Sequence, residues 1–280
     1  MIEDPPRFKK RKTVAVLLSL LEPGFGQIYA GHPARGAVAF GIYLAVVLIF
    51  FCGVVGRSFV GLVVSLSLIA VVYLGSAIDA GLRTRSVVSS NPFWRRGLVV
   101  LAVALLVPVG LRQVLPAVQR LKTFSIPSVS MEPTIQVGDH LVAALDAYRA
   151  APPVRNDLAI FATPEDPRAE VLARVVALAG DRIEIRDKKL FVNGRPVEEP
   201  WAVHNDPDVG SAEGFASDLG TRDQMRPTLI PPGHFFALGD NRDSSYDCRF
   251  YGPVLFENLK GKALYLYWSR GAGRMGKDLG

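Results

Sequence analysis

Two long runs without a charged residue, Ala37–Val55 and Ser58–Ile78, constrain this chain more than any other feature. Each is long enough to cross about 30 Å of hydrocarbon as a helix rising about 1.5 Å per residue. Only Gly56-Arg57 separates them, so they read as a hairpin of two spans. Gly97–Leu111 is a third, shorter run that Val114–Val118 extends to a span over 97–118, with Arg112 snorkelling to the interface. Val14–Ala30 is different, because Glu22-Pro23-Gly24-Phe25-Gly26-Gln27 interrupts it. Proline and glycines break a helix, and a carboxylate is costly at mid-membrane. A re-entrant or interfacial segment is therefore expected over 14–30.

Charge sets the orientation. Lys9, Lys10, Arg11 and Lys12 precede the first run, and Arg83, Arg85, Arg95 and Arg96 lie between the second and third. Cytoplasmic loops carry such excess Lys and Arg. Three spans put both basic segments inside and export everything after about residue 120; four would put them on opposite sides. The N-terminal segment lacks the uninterrupted apolar core and small-residue cleavage site of a removable signal peptide. The net charge of +6 belongs largely to these flanks, and no basic surface interleaved with aromatics suggests nucleic acid.

The 280 residues are 49% hydrophobic, with the excess before about residue 120. The chain thus divides into a membrane region, 1–119, and a soluble region, 120–280. Cys52 lies in an apolar run and Cys248 in the soluble region, so a disulfide between them is not expected. His32, His140, His204 and His234 lack metal-site spacing, and neither a metal nor a cofactor is implied.

After Phe124 the pattern becomes short β runs bounded by Gly, Pro, Asn and Asp, among them "HLVAAL", "DLAIFAT", "RVVALAG", "HFFALGD" and "KALYLYW". "RIEIRDKKLFVNGR" reads as a hairpin. Residues 201–230 read as a long surface loop. The expected fold is a multi-pass α-helical membrane region followed by a mainly β soluble domain.

Ser128 and Ser130 stand in "IPSVSMEPTI". A serine nucleophile needs a base within hydrogen-bond reach and donors for the oxyanion, and no histidine here is tied by motif to a carboxylate. The ordered set "IPSVSMEPTI", "VGDHLVA", "ARVVALAGDRIEI" and "GDNRDSSYDCRFYGPV" resembles the bacterial type I signal peptidases, membrane-bound serine–lysine endopeptidases, over about residues 120–270. The resemblance implies a signal-peptidase-like β fold with Ser130 as nucleophile, Ser128 and the Ser130 N–H as oxyanion donors, and Met131 at the substrate site. It implies Ser245 as the serine that orients the base, and Asp240, Asp243 and Arg249 as site-supporting residues. It also implies signal peptides of exported preproteins as partners, with Ala-x-Ala cleavage signals and no cofactor. The location implied is the bacterial cytoplasmic membrane, with the β domain on its outer side.

The chain departs from the family pattern at one decisive place. The family's base is a lysine immediately before an arginine; with Arg174, Gly180 and Asp181 as anchors, that position is Ala173. Val171, Ala177 and Ala179 replace the family's tyrosine, glycine and proline. Arg174 stays protonated, Lys188 and Lys189 are expected exposed in a hairpin turn, Lys122 is expected at the membrane surface, and nothing directs His140 at Ser130. Two readings follow: an active peptidase whose base comes from an unexpected place, or an impaired homologue that binds signal regions or a partner without efficient cleavage. A membrane scaffold carrying a relic β domain is disfavoured, because Ser128, Ser130 and Ser245 are all present. The self-cleaving repressors of the SOS response share the β architecture but are soluble. "EPGFGQIYAGHPARG" resembles a motif of small bacterial membrane domains of unknown role.

Overall fold

Small residues and one buried amide determine how the N-terminal helices pack. The computed structural model describes residues 11–51, 55–84, 120–209 and 216–280, and the chain divides into two compact units, Met1–Gln119 and Arg120–Gly280. In the first unit, helix α1 (Lys12–Leu21) stops before Pro23, and the chain turns at Gly24 into the short α2 (Phe25–Ala30). Gly24 has φ 98°, open to glycine at little cost, and a Cβ there would lie 2.2 Å from the Gly36 carbonyl oxygen. Gly26 is equally confined: its Cβ would meet the Ala15 carbonyl at 2.0 Å. Gln27 is buried at this junction. Its Oε1 accepts from Ser19 Oγ at 3.2 Å and Ser76 Oγ at 3.1 Å, and its Nε2 donates to the Ser76 carbonyl at 2.8 Å.

Helices α3 (Pro33–Phe51) and α4 (Phe59–Arg83) are long and apolar enough to cross a membrane by length and composition. α3 starts before, and α4 ends after, the bounds read from sequence. α3 begins at Pro33, a residue suited to the first helical turn. α4 continues past Ile78, where Arg83 Nε reaches Asp79 Oδ1 at 2.6 Å one turn back. The span expected over 97–118 lies outside the described residues, as does Cys52.

The second unit is a mainly β domain of two antiparallel sheets. A curled seven-stranded sheet has the order β1 (Leu121–Ser125), β2 (His140–Ala144), β13 (Leu259–Trp268), β3 (Leu158–Phe161), β4 (Val171–Leu178), β11 (His234–Leu238), β12 (Val254–Leu255). A six-stranded sheet has the order β7 (Arg195–Pro196), β6 (Lys189–Val192), β5 (Arg182–Arg186), β10 (Met225–Leu229), β9 (Gly220–Thr221), β8 (Ala216–Ser217). The β5–β6 hairpin pairs Ile183 with Val192 and Ile185 with Leu190. Asp187 and Lys188 both take positive φ in its turn, the backbone that a tight hairpin demands. One core gathers Phe161, Val175, Ile183, Phe235 and Phe236, and a second gathers Met131, Ile135, Leu141, Ile160 and Leu266.

The long loop expected over 201–230 is corrected in part. Met225–Leu229 is a strand, pairing Met225 with Ile185 and Thr228 with Ile183. Its register shifts between those pairs, around Pro227, which has no N–H for the ladder. That irregularity removes the alternation by which a strand is read from sequence.

Candidate active site

The segment after edge strand β1 lies against the 239–247 turn. Asn241 braces it by donating its backbone N–H to the Ser130 carbonyl at 3.0 Å and its Nδ2 to the Val129 carbonyl at 3.1 Å. Gly239 is the contact point on the other side. A Cβ at Gly239 would stand 2.2 Å from Ser245 Oγ and 2.6 Å from the Ser130 carbonyl oxygen. Glycine there lets the Ser245 turn close onto the Ser130 segment.

This closure forms a cleft of about 340 Å³ whose wall includes Ser128, Ser130, Met131, Ala173, Ser244 and Ser245. Phe124, Ile126, Leu141, Ile160 and Leu172 make much of the remainder apolar. Of the residues singled out in the sequence, the structure thus brings Ser128, Ser130, Met131, Ala173 and Ser245 to one cavity. The Ser130 N–H donates to Ser128 Oγ at 3.2 Å, so the two groups suited to an oxyanion are adjacent. Met131 is buried at the cleft floor, in the second core.

Asp240, Asp243 and Arg249 lie behind the cleft. Asp240 is fully buried and forms a two-point pair with Arg174, Nε to Oδ1 at 2.8 Å and Nη2 to Oδ2 at 2.7 Å. Arg174 also lies 4.4 Å from the Trp201 ring centroid. This pair fastens the 239–247 turn to β4, one residue from Ala173. Arg249 opens onto Asp247, with Nε 2.9 Å from Oδ1, and donates to the Arg242 and Ser245 carbonyls. Asp243 accepts from the Asp206 N–H at 2.8 Å and faces Lys188, His204 and Arg222 at 3.5–3.6 Å. Burial opposes ionisation of Asp243, but the Asp206 N–H and these cations outweigh it and hold the carboxyl below its usual range. Burial lowers the His204 pKa despite Asp243.

Two residues were not legible as site residues. Asn241 braces the Ser130 segment. Asp247 caps α5 (Cys248–Tyr251) by accepting from the Arg249 N–H, and also accepts the Gly239 N–H at 3.0 Å. The signal for both was their place in "GDNRDSSYDCR", among residues already assigned supporting roles.

Among the described residues neither the Ser130 nor the Ser245 hydroxyl forms a hydrogen bond. The titratable lining residues are Glu170, Tyr246, Asp247 and Tyr251. Asp247 is committed to Arg249 and Gly239, and Glu170 binds Lys122 Nζ at 2.8 and 2.9 Å. Burial pushes both tyrosine hydroxyls up, helped by Glu165 at Tyr246 and by Cys248 and Asp247 at Tyr251. His140 and Lys188 do not line the cleft. The His140 ring meets Trp268 edge-on at 5.1 Å. Lys188 corrects an expectation: it is largely buried, donating to the Asp206 carbonyl and facing Asp223 and Asp243. Arg174 is held by Asp240, and Lys189 is exposed on β6.

The β domain thus carries a cleft, between an edge strand and a braced turn, that gathers Ser128, Ser130 and Ser245. The family model described as "Signal peptidase, peptidase S26" matches residues 95–268, and the chain belongs to that family. Signal peptidase I of Pseudomonas fluorescens is 34% identical over 182 residues, covering 52% of this chain and 64% of that protein. Thylakoidal processing peptidase 1 of Arabidopsis thaliana is 35% identical over 154 residues, covering 51% and 41%. Signal peptidase I V of Bacillus subtilis (strain 168) is 32% identical over 138 residues, covering 49% and 80%. The chain spans less than two thirds of the length of the first two.

Proposed function

We propose that this chain is a membrane-bound serine endopeptidase that removes signal peptides from exported preproteins at Ala-x-Ala-type sites, by slow turnover that uses no side-chain base. The observation that carries this reading is the meeting of Ser128, Ser130 and Ser245 in one apolar cleft whose titratable groups are all otherwise engaged. In this reading Ser130 Oγ attacks the scissile carbonyl while the Ser130 N–H and the Ser128 hydroxyl turn from each other to the developing oxyanion; the Ser130 proton passes through water to the departing amine as the C–N bond breaks, and a second water hydrolyses the Ser130 ester to free the acyl half and restore the hydroxyl. The apolar wall receives small side chains of the peptide, and Met131 shapes its floor. Asp240, Asp243 and Arg249 hold the turn that carries Ser245.

The apolar faces of α3 and α4 support membrane attachment, and the flanking basic residues support a cytoplasmic N-terminus. We place the protein in the bacterial cytoplasmic membrane with three spans, residues 14–30 re-entrant or interfacial, and the β domain on the outer side.

A second reading, binding of signal regions or a partner without cleavage, is favoured by one observation. Ala173 lines the cleft where the resemblance puts the base, and the nearby Ser245 hydroxyl has no partner among the described residues. Incubation of the detergent-solubilised chain with an Ala-x-Ala preprotein distinguishes them. Slow cleavage lost in Ser130→Ala supports the peptidase; saturable binding without any cleavage supports the second reading.

A further inference from the structure

The Ser130 N–H, one oxyanion donor of the proposed mechanism, belongs to the peptide unit whose carbonyl is that of Val129. A trans peptide is planar, with its C=O and N–H pointing opposite ways. Whatever holds the Val129 oxygen therefore also aims the Ser130 N–H. Asn241 Nδ2 donates to that oxygen at 3.1 Å, and the Asn241 backbone N–H donates to the Ser130 carbonyl at 3.0 Å. One residue thus holds the peptide units on both sides of the Ser130 Cα, and it limits the arc through which the donor can swing.

The Asn241 amide is itself aimed. Asn205 Nδ2 donates to Asn241 Oδ1 at 2.9 Å. A side-chain amide has a donor end and an acceptor end, so a donor fixed on Oδ1 leaves Nδ2 turned to Val129. Asn205 is exposed, yet its backbone is tied down on both sides. Two residues before it, Val203 forms a parallel bridge with Asn241, accepting the Arg242 N–H at 3.0 Å and donating to the Asp240 carbonyl at 2.8 Å. One residue after it, the Asp206 N–H donates to Asp243 Oδ2 at 2.8 Å.

Three amides therefore stand in series: Asn205, Asn241 and the Val129–Ser130 peptide. Each N–H donates to the carbonyl of the next, and each bond in such a chain polarises the one after it. The last N–H is the one that meets the oxyanion. We propose that Asn205 is a positioning residue for the reaction, acting through Asn241 to aim and polarise the Ser130 N–H. This inference rests on the reading of Ser130 as the nucleophile.

The test uses the full chain in detergent. Nitrophenolate release from a saturating Ala-x-Ala nitrophenyl ester gives the rate of Ser130 acylation, and fluorescence polarisation of the matching labelled peptide gives Kd. Asn205→Leu keeps the shape of the side chain and removes its donor. Acylation is expected to slow about twofold to tenfold, the rate equivalent of one neutral hydrogen bond, with Kd and melting temperature unchanged. Asn205→Asp presents only acceptors, so it draws Asn241 Nδ2 away from Val129 and should be slower than Asn205→Leu. In an Asn241→Leu background, Asn205→Leu should slow acylation no further, because the two residues act as one unit. The Asn205 single variants keep the inference falsifiable should Asn241→Leu fold poorly. Asn205 variants that acylate as fast as the unmodified chain overturn the inference while leaving Ser130 the nucleophile. So does a weakened Kd or melting temperature with an unchanged saturated rate, and so does a loss that adds in full to that of Asn241→Leu. Absence of Ser130 acylation in the unmodified chain overturns the nucleophile reading and this inference together.

Discussion

On the proposed reading, replacing Ala173 by lysine puts a proton acceptor into the cleft that Ser130 and Ser245 line. Ala173 sits on β4 between Leu172 and Arg174, pairs with Ala159 of β3, and lines the same cavity as Ser130 and Ser245. A longer side chain in a packed interior commonly costs about 1–3 kcal/mol, but here the chain has a cleft of about 340 Å³ to enter. The surrounding Phe124, Ile126, Leu141, Ile160 and Leu172 disfavour an ammonium ion. Burial therefore lowers the lysine pKa toward the working range, and the free amine is the form that accepts the Ser130 proton. A positioned general base contributes about 10²–10⁴-fold in rate, or roughly 3–5 kcal/mol of barrier. The assay is cleavage of an Ala-x-Ala preprotein by Ala173→Lys and by the unmodified chain, followed from pH 6 to 9 in the same detergent. The expected outcome is a gain within about 10²–10⁴-fold, rising with pH as the amine loses its proton. A folded Ala173→Lys protein, melting cooperatively, with no gain at any pH refutes the reasoning.

Further outcomes follow from the same geometry. Ser128→Ala removes one oxyanion donor and is expected to lower the cleavage rate about 10²-fold or more with little change in melting temperature; the same preprotein assay reads it. Gly239→Ala forces a Cβ into Ser245 and the Ser130 carbonyl, and urea melts should show a loss of about 1–3 kcal/mol together with lost cleavage. Asp240→Ala leaves Arg174 buried without its counter-ion and should cost about 3–5 kcal/mol in the same melts. Acid should destabilise the β domain in two stages, read as melting temperature against pH. His204 has a folded pKa below its ordinary 6.5, so its contribution is present above 6.5 and declines as pH falls below that value. Asp139, Asp181 and Asp243 resist burial through their hydrogen bonds and cations and sit below their ordinary 3.8; their contribution is present above 3.8 and is lost as pH falls further.

Local pattern made much of the β domain legible. The β5–β6 hairpin could be read because Ile183, Ile185, Leu190 and Val192 alternate around a charged turn, and they pair in that register. β10 could not, since Arg226 and Pro227 hide the inward Met225 behind an irregular ladder. Ser128, Ser130 and Ser245 were legible only through their motifs, because alternation says nothing about which loops meet. Long-range contacts stayed hidden: Asn241 reaches Val129 across 112 positions. Lys188, in a hairpin turn that predicts exposure, is covered by Asp206, Asp223 and Asp243. The break at Glu22–Gln27 could be read from Pro23 and its glycines, whereas the purpose of Gln27 emerged only with Ser19 and Ser76 beside it.

Acylation of Ser130 tests the central claim most directly. An Ala-x-Ala nitrophenyl ester has a leaving group that needs no protonation, so a nucleophile without a strong base can still attack it. Intact-mass measurement followed by peptide mapping should show a single acyl adduct on Ser130 of the unmodified chain and none in Ser130→Ala. An adduct on another residue that persists in Ser130→Ala, or no adduct on a chain that binds the peptide, contradicts the assignment of Ser130 as nucleophile.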